Sequence, residues 1–494
     1  MIEVIRENMA PIMFGGLVVF LIIGYPAAFS LAAIGLFSGL VAIELGLIAP
    51  NFLGNLTYQL YGVLSNDLLL AIPFFTFMGV ILEKSGLAED LLDGFGQLFG
   101  GIRGGLSYAV IIVGAILGAI TGTVAASVIA MGLISLPVMM RYGYNVRHAT
   151  GVIAASGTIT QLIPPSLVLI VLADQLQRSP GEMYIGATGA SIVQVLLFMG
   201  WVFILSIFRP EDVPALPPEA RTLRGWPLWK KIIRGTVPSL ALIFIVLGTI
   251  LLGLVTPTEA GAMGVVGAIL LAWFNKRLSW GLMWDGMNST MRLTAMVVFI
   301  LLGARVFSLV FQGVGGGHWI EHMLSHLPGG VVGFLIFVNI FIFVLAFFLD
   351  FFEIAFIVIP LLAPVAEAMG INLVWFGVMI CANMQTSFMH PPFGFALFYL
   401  RGIVPRDKVK TRDIYMGAIP WLVLQLILVG ILIAFPELVT FFLDKEVAVD
   451  LDTVQIVLPS SGGAPPAPSF EAPPPPSFGT PAPSYEAPPP PSFN

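Results

Sequence analysis

Five small or polar residues, Ser156, Gly157, Thr158, Thr160 and Gln161, fall within six positions of an otherwise apolar stretch, AASGTITQLIPPSLVLIV (154–171). Pro164-Pro165-Ser166 follows at once. Hydroxyls, an amide and freed backbone carbonyls offer neutral oxygen atoms, the chemistry that holds a small cation. Proline removes a backbone donor and clashes with the preceding turn, and the residue before it is pushed away from helical angles, so a helix must open here. In hydrocarbon, opened backbone survives only where it is buried in protein or lines a cavity. A second stretch of this kind is NMQTSFMHPPFGFALFYL (383–400), with Gln385, Thr386 and Ser387 ahead of Pro391-Pro392. Two interrupted helices in corresponding parts of one chain are the pattern of a secondary transporter, with ion and substrate held at the breaks.

The elements that position these residues are membrane helices. The chain has 494 residues, 57% of them hydrophobic and 10% charged, with a net charge of −6 and a mean hydropathy of +0.96. Soluble domains carry roughly 25% charged residues, so this is a polytopic all-α membrane protein. The acidic balance argues against a nucleic-acid partner. One cysteine, Cys381, allows no internal disulfide, and no Cys/His zinc pattern occurs. The N-terminal apolar run lacks a small-residue cleavage site and reads as a retained first helix.

A crossing needs about 20 apolar residues. The spans fall at 8–24, 27–48, 66–83, 106–141, 149–173, 183–207, 236–255, 259–275, 291–311, 331–368, 372–400 and 415–435. Segments 106–141 and 331–368 are too long for one crossing and too short for two. Each weakens at its middle, at Thr121-Gly122-Thr123 and at Phe348-Leu349-Asp350-Phe351, and each reads as a re-entrant helical hairpin. Positive charge places 209–235, 401–412, 275–277 and 141–147 on the cytoplasmic side, while 312–330 has no Lys or Arg. These sides agree only if each hairpin makes no net crossing. Two repeats of five crossings and one hairpin result, at 1–208 and 236–435, the second inverted, with hairpin 106–141 and broken helix 149–173 in the first and hairpin 331–368 and broken helix 372–400 in the second. Both termini then lie outside. The linker 209–235 is cytoplasmic, and WPLWKKII (226–233) within it suits an interfacial helix. The region 436–494 is a Pro-rich tail that repeats APSFEAPPPPSF (467–478) as APSYEAPPPPSF (482–493) and cannot bury a core.

GTITQLIPPS (157–166), ITGTVAAS (120–127), TPTEAGA (256–262) and NDLLLAIPFFTFMG (66–79) resemble the large permease subunit of TRAP transporters, the tripartite ATP-independent periplasmic carriers. The likeness runs through about residues 5–440. It implies an ion-transporter-superfamily fold, with a scaffold and an elevator-type moving transport domain, in the bacterial inner membrane. It implies Na⁺-driven import of an organic anion handed over by a periplasmic binding protein, and a small four-helix membrane subunit as partner. Departures are His390 where many members have Thr before the prolines, Gln385 where an acidic residue is frequent, and no glycine shortly before Asp350. These resemble the branch linked to 2-oxo acids, mannitol or chloroaromatic compounds more than the sialic-acid branch, so the anion is a carboxylate, with 2-oxo acids among the candidates.

On this reading one Na⁺ site lies between Thr121, Gly122, Thr123 and Ser127 at the first hairpin and Ser156, Gly157 and Thr158 on the first broken helix. A second, by pseudo-symmetry, lies between Leu349-Asp350 and Gln385, Thr386 and Ser387. The alternative for these small residues is close helix packing. Pro164, Pro165 and Ser166 would approach the substrate. Arg305, inside an apolar span, could bind its carboxylate, pair with Asp350 or snorkel. Glu353 could share the surroundings of Asp350, and Asp67 and Glu259 read as caps. His390 could contact substrate or couple protons, which would suit a one-component symporter or antiporter of the same superfamily. His318, His322 and His326 share a helical face that suits a surface helix better than a metal. No P-loop, nucleophile elbow or acidic catalytic pair occurs, so neither an enzyme nor an ATP-driven pump is expected.

Overall fold

The computed structural model describes residues 2–325, 327–391, 394–404 and 408–443, and among these it is helical with no strand. The compact unit ends at Leu443. The repeats at 467–478 and 482–493 lie outside the described residues. Among the described residues, eight helices are long and apolar enough to cross a membrane, or nine if one bent pair is a single span.

After a short helix at Ile2–Glu7, the first half contains α1 (Met9–Ile23), α2 (Ala27–Glu44), α3 (Asn55–Leu64), α4 (Ala71–Lys84), α5 (Leu87–Phe99), α6 (Gly105–Thr121), α7 (Val124–Arg141), α8 (Val146–Thr158), α9 (Leu167–Gln175) and α10 (Pro180–Phe208). The second half contains α11 (Trp226–Leu251), α12 (Pro257–Phe274), α13 (Trp280–Gly313), α14 (Gly316–Ser325), α15 (Gly330–Leu345), α16 (Phe351–Ala368), α17 (Leu373–Met384), α18 (Phe395–Ile403), α19 (Thr411–Ala434) and α20 (Glu437–Thr440).

The packing repeats when the halves are exchanged. α8 is held by the hairpin arms α6 and α7 and by α19 of the other half; α17 is held by α15, α16 and α10. α18 packs on α7, and α9 packs on α16. α2 packs on α13, and α12 packs on α4. Weak letter identity therefore hides a strict repeat of partners. Each half must bury the same kind of broken helix, and a long helix of the opposite half takes part in covering it.

Four details differ from the sequence expectation. The span placed at 66–83 is preceded by a second apolar helix, α3, with which α4 forms a pair bent by 45°. At the bend Asn66 accepts from the Leu68 amide and donates to Asp174 Oδ1 at 2.7 Å. Its counterpart, placed at 291–311, is the unbroken 34-residue α13. Trp226 to Ile233 is not a separate interfacial helix but the first turns of α11. Residues 436–443, assigned by composition to the tail, belong to the bundle: α20 packs on α10 and α17, and Val439 is fully buried.

Candidate functional site

Both hairpins open where the chain composition demands it. α6 ends at Gly122, whose φ of +62° is left-handed backbone that glycine adopts without a Cβ penalty. Thr123 then stands in extended conformation before α7. In the second hairpin Asp350 occupies the equivalent N-cap and forms a capping box: Glu353 N donates to Asp350 Oδ1 at 2.8 Å, and Asp350 N donates to Glu353 Oε2 at 2.9 Å. Both broken helices tighten into a 3₁₀ turn, Ile159–Gln161 and Gln385–Phe388, before they open. Ser166 restarts the first one: its Oγ accepts from Val168 N at 3.2 Å and donates to the Gln161 carbonyl.

One and the same interval separates Thr123 from Asp350, Thr158 from Gln385 and Pro164 from Pro391. That register runs through a cavity of about 230 Å³ at the meeting point of both hairpin tips and both breaks. It is lined by matched residues of the two halves: Thr123 with Asp350, Val124 with Phe351, Ala125 with Phe352, Gln161 with Phe388, and Val168 with Phe395. Leu293 and Met296 of α13 and Tyr399 of α18 complete the wall. The cavity therefore lies on the pseudo-two-fold relation of the molecule.

Four helices begin at this cavity. Val124-Ala125, Leu167-Val168, Phe351-Phe352 and Phe395 are first-turn residues of α7, α9, α16 and α18. First-turn amides have no intrahelical acceptor, and the helix dipole places partial positive charge there. Each end favours an anion by about 1 kcal/mol, and more when buried. Gly122, Gln161 and Phe388, at the ends of the preceding half-helices, face the same space with the opposite partial charge. Facing half-helix ends of both signs can hold an anion and a cation side by side without a formally charged ligand for either.

The expected first ion site divides. Gly157 packs directly on Val128 of α7. Thr160 Oγ1 donates to the Gly157 carbonyl at 2.7 Å and lies 3.2 Å from Ser127 Oγ, so Ser127, Thr160 and Gly157 form one buried oxygen cluster. Thr158 faces the other way. It donates to the Ala155 carbonyl and accepts from Gln425 of α19 at 2.8 Å, which takes it out of the set. Ser156 lies against Gly114 of α6, and its hydroxyl is buried without a partner. Gly122 and Thr123 line the cavity; the side chain of Thr121 lies outside the described residues.

The expected second ion site also divides. Asp350 lines the cavity, with Leu349 buried just before it. The Gln385 amide pairs instead with that of Gln194 on α10. Thr386 and Ser387 donate to the carbonyls of Asn383 and Met384, each at 2.7 Å, as Thr160 does to that of Gly157. Ile354, however, stands where the first half has Ser127, so the second half lacks the matching hydroxyl. Such back-bonding is the usual fate of hydroxyls inside helices.

Of the expected substrate contacts, Pro164, Pro165 and Ser166 sit in the first break immediately before the lining residues Leu167 and Val168. His390 does not reach the cavity. It is buried between Phe343 and Phe347 of the second hairpin, with ring centroids at 4.3 and 4.2 Å. Arg305 does not reach it either. Leu293 and Met296 are the α13 residues on the cavity, and nine residues of helix at 1.5 Å each, roughly 13 Å, separate Met296 from Arg305. Asp350 is occupied by its own helix cap rather than by Arg305. Glu259 caps α12 as expected. The exposed His318 lies 3.8 Å from Glu321, and among the described residues no His, Cys, Asp and Glu cluster could hold a metal; His326 lies outside them.

Thr160 and Gln161 belong to the polar run of the first break but are not among the expected ion or substrate contacts; Thr160 joins the oxygen cluster and Gln161 the cavity wall. Tyr399 on the cavity and the anchors Gln194 and Gln425 are not singled out by the sequence at all. Gln161 Oε1 is buried without a partner, and the residue is 2% exposed. The constant interval between hairpin tip and proline pair was visible in the sequence and would have identified the matched positions.

Among known proteins, the family described as tripartite ATP-independent periplasmic transporter, DctM component, matches residues 14–438. The C4-dicarboxylate TRAP transporter large permease protein DctM of Pseudomonas aeruginosa is 30% identical over 401 residues, covering 80% of this chain and 90% of that protein. The isethionate TRAP transporter permease protein DctMQ of Oleidesulfovibrio alaskensis is 26% identical, covering 87% of this chain and 66% of that protein. The crystal structure of the Alcanivorax borkumensis YdaH transporter, whose topology is described as unusual, shares the fold at a TM-score of 0.55 and 15% identity, over 78% of this chain and 87% of that one. Two broken helices, two helical hairpins and a cavity at their meeting point are thus the architecture of a transporter, and this chain belongs to the DctM family, the large membrane permease component of TRAP transporters.

Proposed function

We propose that this permease imports an organic carboxylate in symport with Na⁺, across a bacterial inner membrane, with both termini on the periplasmic side. A periplasmic binding protein delivers the anion, and a small membrane subunit completes the system. The tripartite family and the relative that unites both membrane parts in one chain support those partners. The moving unit comprises both hairpins and both broken helices, and α2, α4, α12 and α13 form the scaffold.

The observation that carries this reading is the cavity where four helix N-termini and the ends of the preceding half-helices converge. The N-termini suit the carboxylate. The Ser127–Thr160–Gly157 oxygen cluster, one turn below the hairpin tip, suits Na⁺. Charge movement across the membrane potential then adds about 2.3 kcal/mol per elementary charge at 100 mV. The burial of His390 between two phenylalanine rings weighs against a proton-coupled alternative.

The test is uptake by proteoliposomes that contain this chain, its membrane partner and its binding protein. An inward Na⁺ gradient should support uptake at least tenfold above a K⁺ gradient of the same size. Uptake that follows an inward H⁺ gradient and ignores Na⁺ would refute the coupling.

A further inference from the structure

The cavity is asymmetric in a way that describes its ligand. The four helix starts differ in their caps. Ser166 caps α9 and Asp350 caps α16. No side chain caps α7 or α18. These two uncapped helices are neighbours, since Gly132 of α7 lies against Leu400 and Ile403 of α18. Their first-turn residues Val124, Ala125 and Phe395 line the same cavity, whose one carboxylate among the described lining residues, Asp350, is engaged in capping α16.

The walls differ as well. The first half contributes small or aliphatic side chains and one amide, Gln161. The second half contributes five rings: Phe351, Phe352, Phe388, Phe395 and Tyr399. Phe351 and Phe352 are 4.6 Å apart between centroids, and Phe395 stands 6.0 Å from Phe388 and 6.5 Å from Tyr399. A cavity of ~150 Å³ takes up a benzene molecule; this one, at about 230 Å³, has room for one ring and a carboxylate. Aromatic walls recognise flat apolar surfaces edge to face or offset, and they offer no partners for a chain of hydroxyls.

We propose that the transported anion is a monocarboxylate with a planar aromatic body. Its carboxylate sits on the uncapped N-termini of α7 and α18, and its ring lies on the Phe and Tyr wall. A second carboxylate would fall on the rings or on Asp350. The buried, unpartnered Gln161 Oε1 is an oxygen ligand for the coupled ion beside the carboxylate. This assignment rests on the reading that the cavity is the transport site.

The probes are benzoylformate and pyruvate, which share a 2-oxo acid head and differ only in phenyl against methyl. Binding to the purified complex of this chain and its membrane partner is measured in Na⁺ and in choline buffer. Benzoylformate should bind at least tenfold more tightly than pyruvate, about 1.4 kcal/mol, and both should require Na⁺. Phe395→Ala, at a ring that is 43% exposed and so expendable for folding, should lower that ratio below threefold. Val124→Pro removes one uncapped amide at a first-turn position that proline tolerates, and should weaken both acids at least fivefold with their ratio unchanged. Should Val124→Pro fail to fold, the ring variant and the wild-type ratio decide alone. Na⁺-dependent binding with pyruvate equal or tighter would overturn the aromatic assignment and leave Na⁺-coupled transport standing. Absence of Na⁺-dependent binding for both acids would overturn the two together.

Discussion

The two halves bury the same broken helix by opposite means. In the first half, α6 reaches α8 through glycines. A Cβ at Gly114 would lie 2.7 Å from Ser156 Cβ, and one at Gly118 would lie 2.9 Å from Thr160 Cα. At the same register positions of the second half stand Phe341 and Leu345. There α15 holds α17 by an amide contact, with Asn383 Nδ2 donating to the Asn339 carbonyl at 2.8 Å and to its Oδ1 at 3.0 Å. Backbone-to-backbone packing leaves the first half a compact cluster of oxygens around Ser127 and Thr160. Side-chain packing gives the second half bulk, and Ile354 stands where the first half has Ser127. A topological repeat can thus keep its partners and lose its chemistry on one side: the oxygen cluster lies in the first half and the ring wall in the second.

The largest contrast should come from placing valine at two matched positions. Gly118→Val forces a side chain into the backbone of Thr160, and overpacking of this kind costs ~1–3 kcal/mol or more. The matched Leu345→Val trims a half-buried residue and should cost less than ~1.5 kcal/mol. Melting temperatures of the two purified variants check this; equal losses would end the distinction between glycine and side-chain packing.

The ion assignment comes next. Ser127→Ala and Thr160→Val should each raise the Na⁺ concentration for half-maximal uptake at least fivefold, whereas Thr386→Val and Ser387→Ala should shift it less than twofold. A shift from Ser387→Ala as large as that from Thr160→Val would restore a second, symmetric cation site.

The anchors sharpen the comparison further. Gln194→Ala leaves the buried Gln385 amide unpaired, at a cost of ~1–3 kcal/mol. Gln425→Ala leaves Thr158 still bonded to the Ala155 carbonyl, so thermal unfolding should show the smaller loss for this variant.

The smallest effect lies at Asp93 of α5, a helix outside the candidate membrane spans, which pairs with Lys231 in the first turns of α11. Partial burial raises the Asp93 carboxyl, but hydrogen bonds from Lys231 and Gln97 and the Lys231 charge outweigh it, and the group titrates below its ordinary value. Its stabilising effect is complete above the ordinary carboxylate range and is lost as pH falls through the lowered value. Asp93→Asn should cost under ~1 kcal/mol, as exposed pairs do, and should flatten the loss of melting temperature toward acid pH.

Much of the fold was legible in the letters, because hydrocarbon imposes a strict rule on the backbone. Apolar length marks the spans, Pro-Pro marks where a helix must open, and Thr121-Gly122-Thr123 in the middle of an overlong span marks a hairpin tip. The sequence by itself determined an all-helical membrane transporter with two breaks, two hairpins and a polar element at each break. Which oxygen faces which was beyond it. Thr158 and Thr160 are two residues apart and alike in chemistry, yet one turns to Gln425 and the other to Ser127, since a helix rotates about 100° per residue and only the neighbours show which face is the site. His390 and Arg305 look functional as isolated polar residues in apolar runs. The tertiary structure places one between two rings and the other about 13 Å along α13 from the cavity. The cavity was decided by packing alone, because it is assembled from helix starts that lie far apart in the chain.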